Sequence, residues 1–468
     1  MDRGRRVGGI AATAIWLFAR VAAAATLAPH TEVSGAEVAA AEVRPDRGAW
    51  RSIPWDDLDR TALEPGTYEL RVRFEADRAG EALEVPPCAG RKGVRVDGGD
   101  DVAGPGPLIV PVSPGAHELV LLVDVSRYER RIACGDHPRI GPTSSTLEGL
   151  GTLAFDSPFG ARGGGQAVVY VPPGHDVRRP SALLVGAHPW NGTIWTYAAY
   201  AGLLRESRAR DLVLLMPSGL GNSLYTSDAE SEVMRAIEAL ASVVAIDRRR
   251  VSIWGASMGG AGATTIGLHH PDRFASVVSF FGDSKYDVAT YVRSILPDER
   301  AAHRVNALDV VDNARNLPVW LVHGENDRTS AIRQSELLAA AMSERGFDVR
   351  FDRAPGEGHS GALVARFLPE LVAKAATAVV RGDVARVTYR SVREADLGAY
   401  GVRIVRASAS DDAFVDVERR EEGVHLRRAE GVREVWLARG ALGTSVEHPP
   451  AILVDARTAV RVGWESPP

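Results

Sequence analysis

The stretch Val251-Ser252-Ile253-Trp254-Gly255-Ala256-Ser257-Met258-Gly259-Gly260 constrains this chain more than any other. A short apolar run stops at Gly-x-Ser-x-Gly, and small residues that suit a helix follow. That is the layout of a nucleophile elbow, in which a serine sits on a tight strand-to-helix turn. Side chains at the flanking positions would clash where the backbone folds back, so glycine is needed there. The turn pushes the hydroxyl into the open, near the positive end of the following helix. The pattern is short enough to arise by chance in 468 residues, so the rest of the chain has to decide.

A serine hydroxyl is a weak nucleophile at neutral pH, and it needs a base that is itself oriented by an acid. In α/β sheets with an elbow, the partners follow the serine in the order acid, then histidine. Downstream, Leu317-Pro318-Val319-Trp320-Leu321-Val322 reads as a strand and runs into His323-Gly324-Glu325-Asn326-Asp327. A second strand, Asp348-Val349-Arg350-Phe351, is followed by Pro355-Gly356-Glu357-Gly358-His359-Ser360. Asp327 and His359 therefore fall in loops at the carboxyl ends of strands, the edge at which open parallel sheets bind ligands. Singly each is an ordinary loop residue; the ordered set makes Ser257, His359 and Asp327 the candidate catalytic triad. Glu325 and Asp283 are the rivals for the acid.

A developing oxyanion needs two backbone N–H donors. The first expected donor is Met258, next to the serine. The second comes from the loop Gly186-Ala187-His188-Pro189-Trp190-Asn191-Gly192. Pro189 has no N–H, which leaves Trp190, with Asn191 behind it. His188 reads as a structural hydrogen-bonding group. Trp190, Trp195 and Tyr225 are candidates for a pocket lining, with surface packing the equal alternative. His269-His270 before Pro271 fits a helix end better than a metal site. No metal and no organic cofactor is implied.

Length calls for two or three domains. Residues 1–25 have the pattern of a cleavable secretory signal: Arg3, Arg5 and Arg6, then an apolar run from Val7 to Phe18, then Ala22-Ala23-Ala24-Ala25. Arg20 keeps the run short of a stable membrane span. Residues 26–48 read as a linker. Residues 49–145 carry short alternating segments such as Thr67-Tyr68-Glu69-Leu70-Arg71-Val72-Arg73-Phe74, as a small β-sandwich would. Cys88 and Cys134 are the only cysteines and fall in this region, which in an exported chain points to a disulfide. The cluster Asp97-Gly98-Gly99-Asp100-Asp101 lacks the spacing of a calcium loop and reads as a turn. Across 155–380 apolar strands alternate with helical stretches, the pattern of a mostly parallel, doubly wound sheet. Residues 382–468 return to short alternating segments, a small C-terminal β domain. A net charge of −5 without a basic, aromatic-interleaved run gives no footprint for nucleic acid.

Residues of about 160–380 resemble the α/β-hydrolase fold, and within it the prolyl oligopeptidase-like catalytic domain and the related secreted esterases and depolymerases. Gly255-Ala256-Ser257-Met258-Gly259-Gly260, His270-Pro271-Asp272-Arg273-Phe274, His323-Gly324-Glu325-Asn326-Asp327 and Gly358-His359 carry the resemblance. It implies the same triad. It brings no peptidase specificity, because the large propeller of prolyl oligopeptidases has no room in the N-terminal region. The loop reads His188-Pro189 where relatives often have His-Gly, which bears on the second oxyanion donor. The expectation is a secreted or periplasmic serine hydrolase acting on carboxylic esters. The alternatives are a serine-type peptidase and a non-catalytic binding protein on a hydrolase fold. The substrate is a small-molecule or polymer ester or peptide, with carbohydrate contact through the flanking β regions.

Overall fold

A computed structural model describes residues 25–99, 102, 104–160, 163–455 and 460–465. The expected signal, apart from Ala25, lies outside the described residues, as do Asp100 and Asp101 of the glycine-rich turn. Within that turn, Asp97 has a φ of 51°, and its carboxylate accepts from the Glu118 amide at 2.9 Å, as a turn residue does.

The centre of the molecule is a nine-stranded sheet. In chain order its strands are β1 (Ala25–Leu27), β2 (Gly149–Asp156), β3 (Gly164–Val171), β4 (Ser181–Ala187), β5 (Val213–Pro217), β6 (Ile246–Ala256), β7 (Ser276–Phe280), β8 (Val319–Gly324) and β9 (Val349–Ala354). The spatial order is β1-β2-β3-β5-β4-β6-β7-β8-β9. The first three strands pair antiparallel, and β3 pairs antiparallel with β5. From β5 onward all pairs are parallel. Every residue of β4, β5, β7 and β8 is buried, which is why these segments read as continuous apolar runs rather than alternating ones.

Among the described residues six α-helices run between and after these strands: α1 (Ala201–Arg210), α2 (Ser227–Val243), α3 (Met258–His269), α4 (Glu299–His303), α5 (Arg333–Glu344) and α6 (Gly361–Thr377). On one face Leu203 and Leu204 of α1 and Leu368, Leu371 and Val372 of α6 cluster with Leu184, Trp254 and Trp320. On the other, Val233, Ile237 and Leu240 of α2 join Ile266 of α3, Leu338 of α5, and Leu183, Ile253 and Leu321 from the strands. Each fully buried leucine, isoleucine or valine here contributes about 2 kcal/mol. Among the described residues no helix is long and apolar enough to cross a membrane.

Between β1 and β2 the chain builds two more sheets. One runs Arg51–Pro54, Ala40–Pro45, Gly66–Ala76, Gly115–Val125, Arg91–Val96. The other runs His30–Val33, Arg139–Thr146, Glu81–Val85, Leu108–Pro111, with Ala36–Glu37 beside Arg139 and Ile140. Leu70, Val72, Leu119 and Leu121 of the first meet Leu83, Val85 and Ile140 of the second in one cluster. Cys88 and Cys134 are joined in a disulfide. The sequence reading of residues 26–48 as a linker is corrected here: they form β1 and strands of both small sheets, with Val33 and Val43 fully buried. Those strands are two to six residues long, too short to display a period. The central sheet likewise begins before residue 155, because β1 and β2 belong to it.

After α6 come two four-stranded sheets. Arg386–Ser391, Ala413–Arg420, Gly423–Glu430 and Ile452–Val454 form one; Gly398–Ala399, Val402–Arg406, Val432–Leu437 and Arg461–Trp464 form the other. Val387, Tyr389, Val415, Leu426, Val435 and Leu437 fill the space between them.

Candidate active site

Ser257 sits between β6 and α3 with φ 56° and ψ −122°, a conformation that non-glycine residues rarely adopt. It is held there. Its amide donates to the Phe280 carbonyl at 2.9 Å, and its carbonyl accepts from Ala261 at 3.0 Å. A Cβ on Gly255 would lie 2.5 Å from the Ala187 carbonyl oxygen, and one on Gly259 would collide with that same oxygen. Only glycine lets the elbow close against the end of β4. From Val251 to Gly260 every residue is buried except Ser257, so the serine alone is presented outward.

Asp327 follows β8 and His359 follows β9. The Nδ1 of His359 lies 2.7 Å from Oδ2 of Asp327. The other carboxylate oxygen accepts from the Thr329 and Ser330 amides at 2.8 and 2.9 Å. Burial raises the Asp327 carboxyl. The hydrogen bonds of His323 and His359, the His359 charge and the Thr329 amide outweigh it and hold the group well below the usual carboxylate range. An ionised carboxylate accepts only, so Nδ1 carries the proton and Nε2 is left to act as a base. The two loops pack closely because position 324 is glycine; a Cβ there would lie 2.5 Å from the Glu357 carbonyl oxygen. The ring of His359 packs on Phe281, centroids 4.4 Å apart, and meets the Tyr128 ring edge-on at 5.6 Å.

Of the rival acids, Glu325 is exposed. Asp283 accepts the Ser330 hydroxyl at 2.6 Å and is raised by burial, and it makes no hydrogen bond to His359. In the expected oxyanion loop, the Asn191 amide is already spent on Oδ1 of Asn222 at 2.6 Å. The Trp190 amide has no such partner among the described residues. His188 is buried, its ring nitrogens 2.9 and 2.7 Å from the Pro189 and Ser218 carbonyls, so it is a brace for the loop.

Ser257, His359, Trp190 and Trp195 open on one cavity of about 880 Å³. Tyr225 does not reach it: the side chain is fully buried, with its hydroxyl 3.3 Å from the His188 carbonyl. The reading of Tyr225 as a lining residue is thereby corrected. His269 and His270 face carboxylates, Asp396 at 2.7 Å and Glu230 at 2.8 Å, rather than only a helix end. No group of metal-ligating side chains occurs among the described residues.

The sequence reading missed two contributors. The fully buried Tyr197 donates its hydroxyl to the Ala187 carbonyl at 2.8 Å and accepts from the Ala256 amide at 2.9 Å, tying the elbow to the loop after β4. The larger omission is the far wall of the cavity, which comes from the N-terminal sheets: Cys88 to Arg91, Pro105 and Ser126 to Glu129. There the Tyr128 carbonyl accepts from the Gly361 amide at 2.9 Å, at the start of α6, two residues from His359. The Glu129 carboxylate accepts from the Tyr200 hydroxyl at 2.7 Å and from Arg131 Nε at 3.2 Å. It occupies the place where a side chain on Gly361 would start, 2.5 Å from such a Cβ. Nothing in the local pattern of Tyr128-Glu129-Arg130-Arg131 signals this, because apart from Arg131 these partners of Glu129 and Tyr128 lie 71 residues or more away.

Residues 221–375 match the prolyl oligopeptidase family. The family segment spans Ser257, Asp327 and His359 and leaves out the cavity wall between Cys88 and Glu129. An S-formylglutathione hydrolase of Paracoccus denitrificans is 30% identical over 131 residues, 27% of this chain and 47% of the relative. The match thus spans about half of that relative's length. Among solved structures, an S-formylglutathione hydrolase of Agrobacterium tumefaciens aligns over 49% of this chain and 95% of its own, at 21% identity and a TM-score of 0.43. Dipeptidyl peptidase 4 of Porphyromonas gingivalis aligns over 49% of this chain and 35% of its own, at 14% identity and a TM-score of 0.41. The segment that resembles the prolyl oligopeptidase family lies in the doubly wound, parallel part of the central sheet.

Proposed function

We propose that the protein is a serine hydrolase that works by acyl transfer through Ser257, His359 and Asp327, on carboxylic esters. The observation that carries this is the 2.7 Å contact between His359 and Asp327, on the same cavity as a serine held at an elbow. Ser257 Oγ bonds to the substrate carbonyl carbon while its proton passes to His359 Nε2. The carbonyl oxygen, now negative, is met by the Met258 and Trp190 amides. Each such donor is worth roughly 10²-fold or more in rate. Collapse of the adduct breaks the bond to the leaving alcohol, which takes the proton from His359. Water then repeats the sequence on the acyl-enzyme, releases the acid and returns the proton to serine. Asp327 holds the imidazole and stabilises it while it is charged.

A serine-type peptidase would use the same groups on an amide, and a non-catalytic binding protein would use the cavity alone. Labelling with a fluorophosphonate separates catalysis from binding: wild type is labelled and Ser257→Ala is not. Equal labelling of the two removes Ser257 as the nucleophile. A panel of p-nitrophenyl esters beside short peptide amides decides the bond, and faster turnover of the amides would replace the ester reading.

Residues 1–25 act in this reading as a cleaved secretory signal, which the disulfide fits, since such bonds persist in oxidising compartments. The mature N-terminus of the exported protein, read by mass spectrometry, tests it. The small sheets built from residues 30–146 and 386–464 are read as flanking β domains that offer contacts to a carbohydrate or polymer.

A further inference from the structure

The charges on the cavity wall do not balance. Its one carboxylate from the N-terminal sheets, Glu129, is already answered by Arg131 and by the Tyr200 hydroxyl. Asp327 lies behind the His359 ring, which donates a hydrogen bond to it, and is not part of the cavity lining. Two arginines on the same wall have no such answer. Arg91 is 8% exposed, and its guanidinium donates to backbone carbonyls, from Nε to Gly104 and from Nη1 to Pro86, both at 2.9 Å, with Nη2 on Gly104 and Gly106. Burial without a carboxylate lowers its pKa to about 10, so it stays a cation. Carbonyl dipoles satisfy its hydrogens and do not cancel its charge. Arg127 is exposed, lies 4.7 Å over the Tyr128 ring, and touches the Tyr128 hydroxyl; it forms no ion pair among the described residues.

A cavity with low-dielectric aromatic walls focuses the field of such charges toward whatever enters it. Trp190 and Tyr291, ring centroids 5.3 Å apart, and Trp195 supply those walls. We propose that the cavity selects esters that carry a carboxylate in the acyl or the alcohol part, with Arg127 meeting the anion at the mouth and Arg91 biasing the interior toward negative charge. This rests on the serine hydrolase reading and adds a substrate class to it. An ester bearing an ammonium group is disfavoured by the same field.

Two matched pairs of esters test the proposal. Mono-(4-nitrophenyl) glutarate against 4-nitrophenyl pentanoate varies the charge of the acyl part. 4-Acetoxybenzoate against its methyl ester varies the charge of the leaving part. In at least one pair the anionic ester is expected to show a kcat/KM roughly 10-fold higher at low salt, as a charge-assisted contact gives. That advantage shrinks as salt is raised, because exposed charges are screened. It falls in Arg127→Gln and falls further, or reverses, in Arg127→Glu. Neutral esters preferred in both pairs, or a ratio that Arg127→Glu leaves unchanged, would overturn the proposal. Hydrolysis of the neutral esters that is lost in Ser257→Ala keeps the triad reading standing whichever way the ratios fall; no turnover of any of the four overturns both.

Discussion

The two sets of small sheets are built alike and meet the central sheet differently. The N-terminal set reaches the candidate triad. Its turn at Ser126–Arg131 lays a ring against His359, a carbonyl on the Gly361 amide and a carboxylate beside Gly361. The C-terminal set packs along residues 307–316 and at the far end of α3. There His269 and Arg393 converge on Asp396, and His270 and Arg393 converge on Glu230, all largely out of water. Ser257 precedes α3 and His269 ends it, which at 1.5 Å per residue puts about 18 Å between the cavity and this ionic cluster. One helix thus has the candidate nucleophile at its N-terminal end and an anchor at its C-terminal end. An added region becomes part of an active site by where its loops land, not by its architecture.

The sharpest way to break the comparison is to remove the carboxylate on the cavity side. Glu129→Ala leaves Arg131, 3% exposed, without its partner, and breaking such a buried pair costs about 3–5 kcal/mol. The variant should also lose at least roughly 10-fold in kcat at temperatures where it is still folded, because the base is no longer fixed to a fraction of an ångström. Thermal melts beside esterase kinetics check both. A stable, fully active variant would mean that the turn is mere covering.

Opening the disulfide comes next. Cys88 and Cys134 are 46 residues apart, and losing such a crosslink costs about 2–4 kcal/mol. Cys88 also lines the cavity, so Cys88→Ser with Cys134→Ser should raise KM more than it lowers kcat. Hydrogen exchange should rise across residues 81–146 and remain as it was across 386–464.

The smallest effect on catalysis belongs to the anchor. Arg393→Met should lower stability by about 3 kcal/mol and leave kcat/KM of the folded protein within twofold, since nothing in the cluster touches the cavity. Acid tests the same cluster. Burial raises Asp396 and Glu230, but their histidine and arginine partners outweigh it and hold both at about 2. A folded-state pKa below the unfolded one stabilises at neutral pH, and the benefit is lost as pH falls from about 4 toward 2. Melting temperatures across that window should fall less steeply in Asp396→Asn than in wild type; parallel slopes would remove the carboxylate from the anchor.

Much of the catalytic half was legible because the chemistry sits where strands end. The runs Leu183-Leu184-Val185, Val277-Val278 and Trp320-Leu321-Val322 are buried on both faces, so hydrophobicity alone marked the strands and the loops after them. The disulfide was legible because two cysteines leave one pairing. What failed to show depended on distant partners. Tyr225 lies in a loop, yet it is buried beneath Gly219 and Gly262, whose missing side chains make its space. Glu129 has the composition of a solvated turn and acquires its meaning from Tyr200, Arg131 and Gly361. Residues 26–48 looked like a linker because strands of two to six residues carry too few buried positions to betray a period.

Gly361 has a consequence for which substitutions the cavity wall tolerates. A side chain at 361 would start where the carboxylate at 129 now sits, so that carboxylate would have to swing away from its place beside the Tyr200 hydroxyl and Arg131. Positions 129 and 361 are therefore coupled, and a substitution at one changes what the other tolerates.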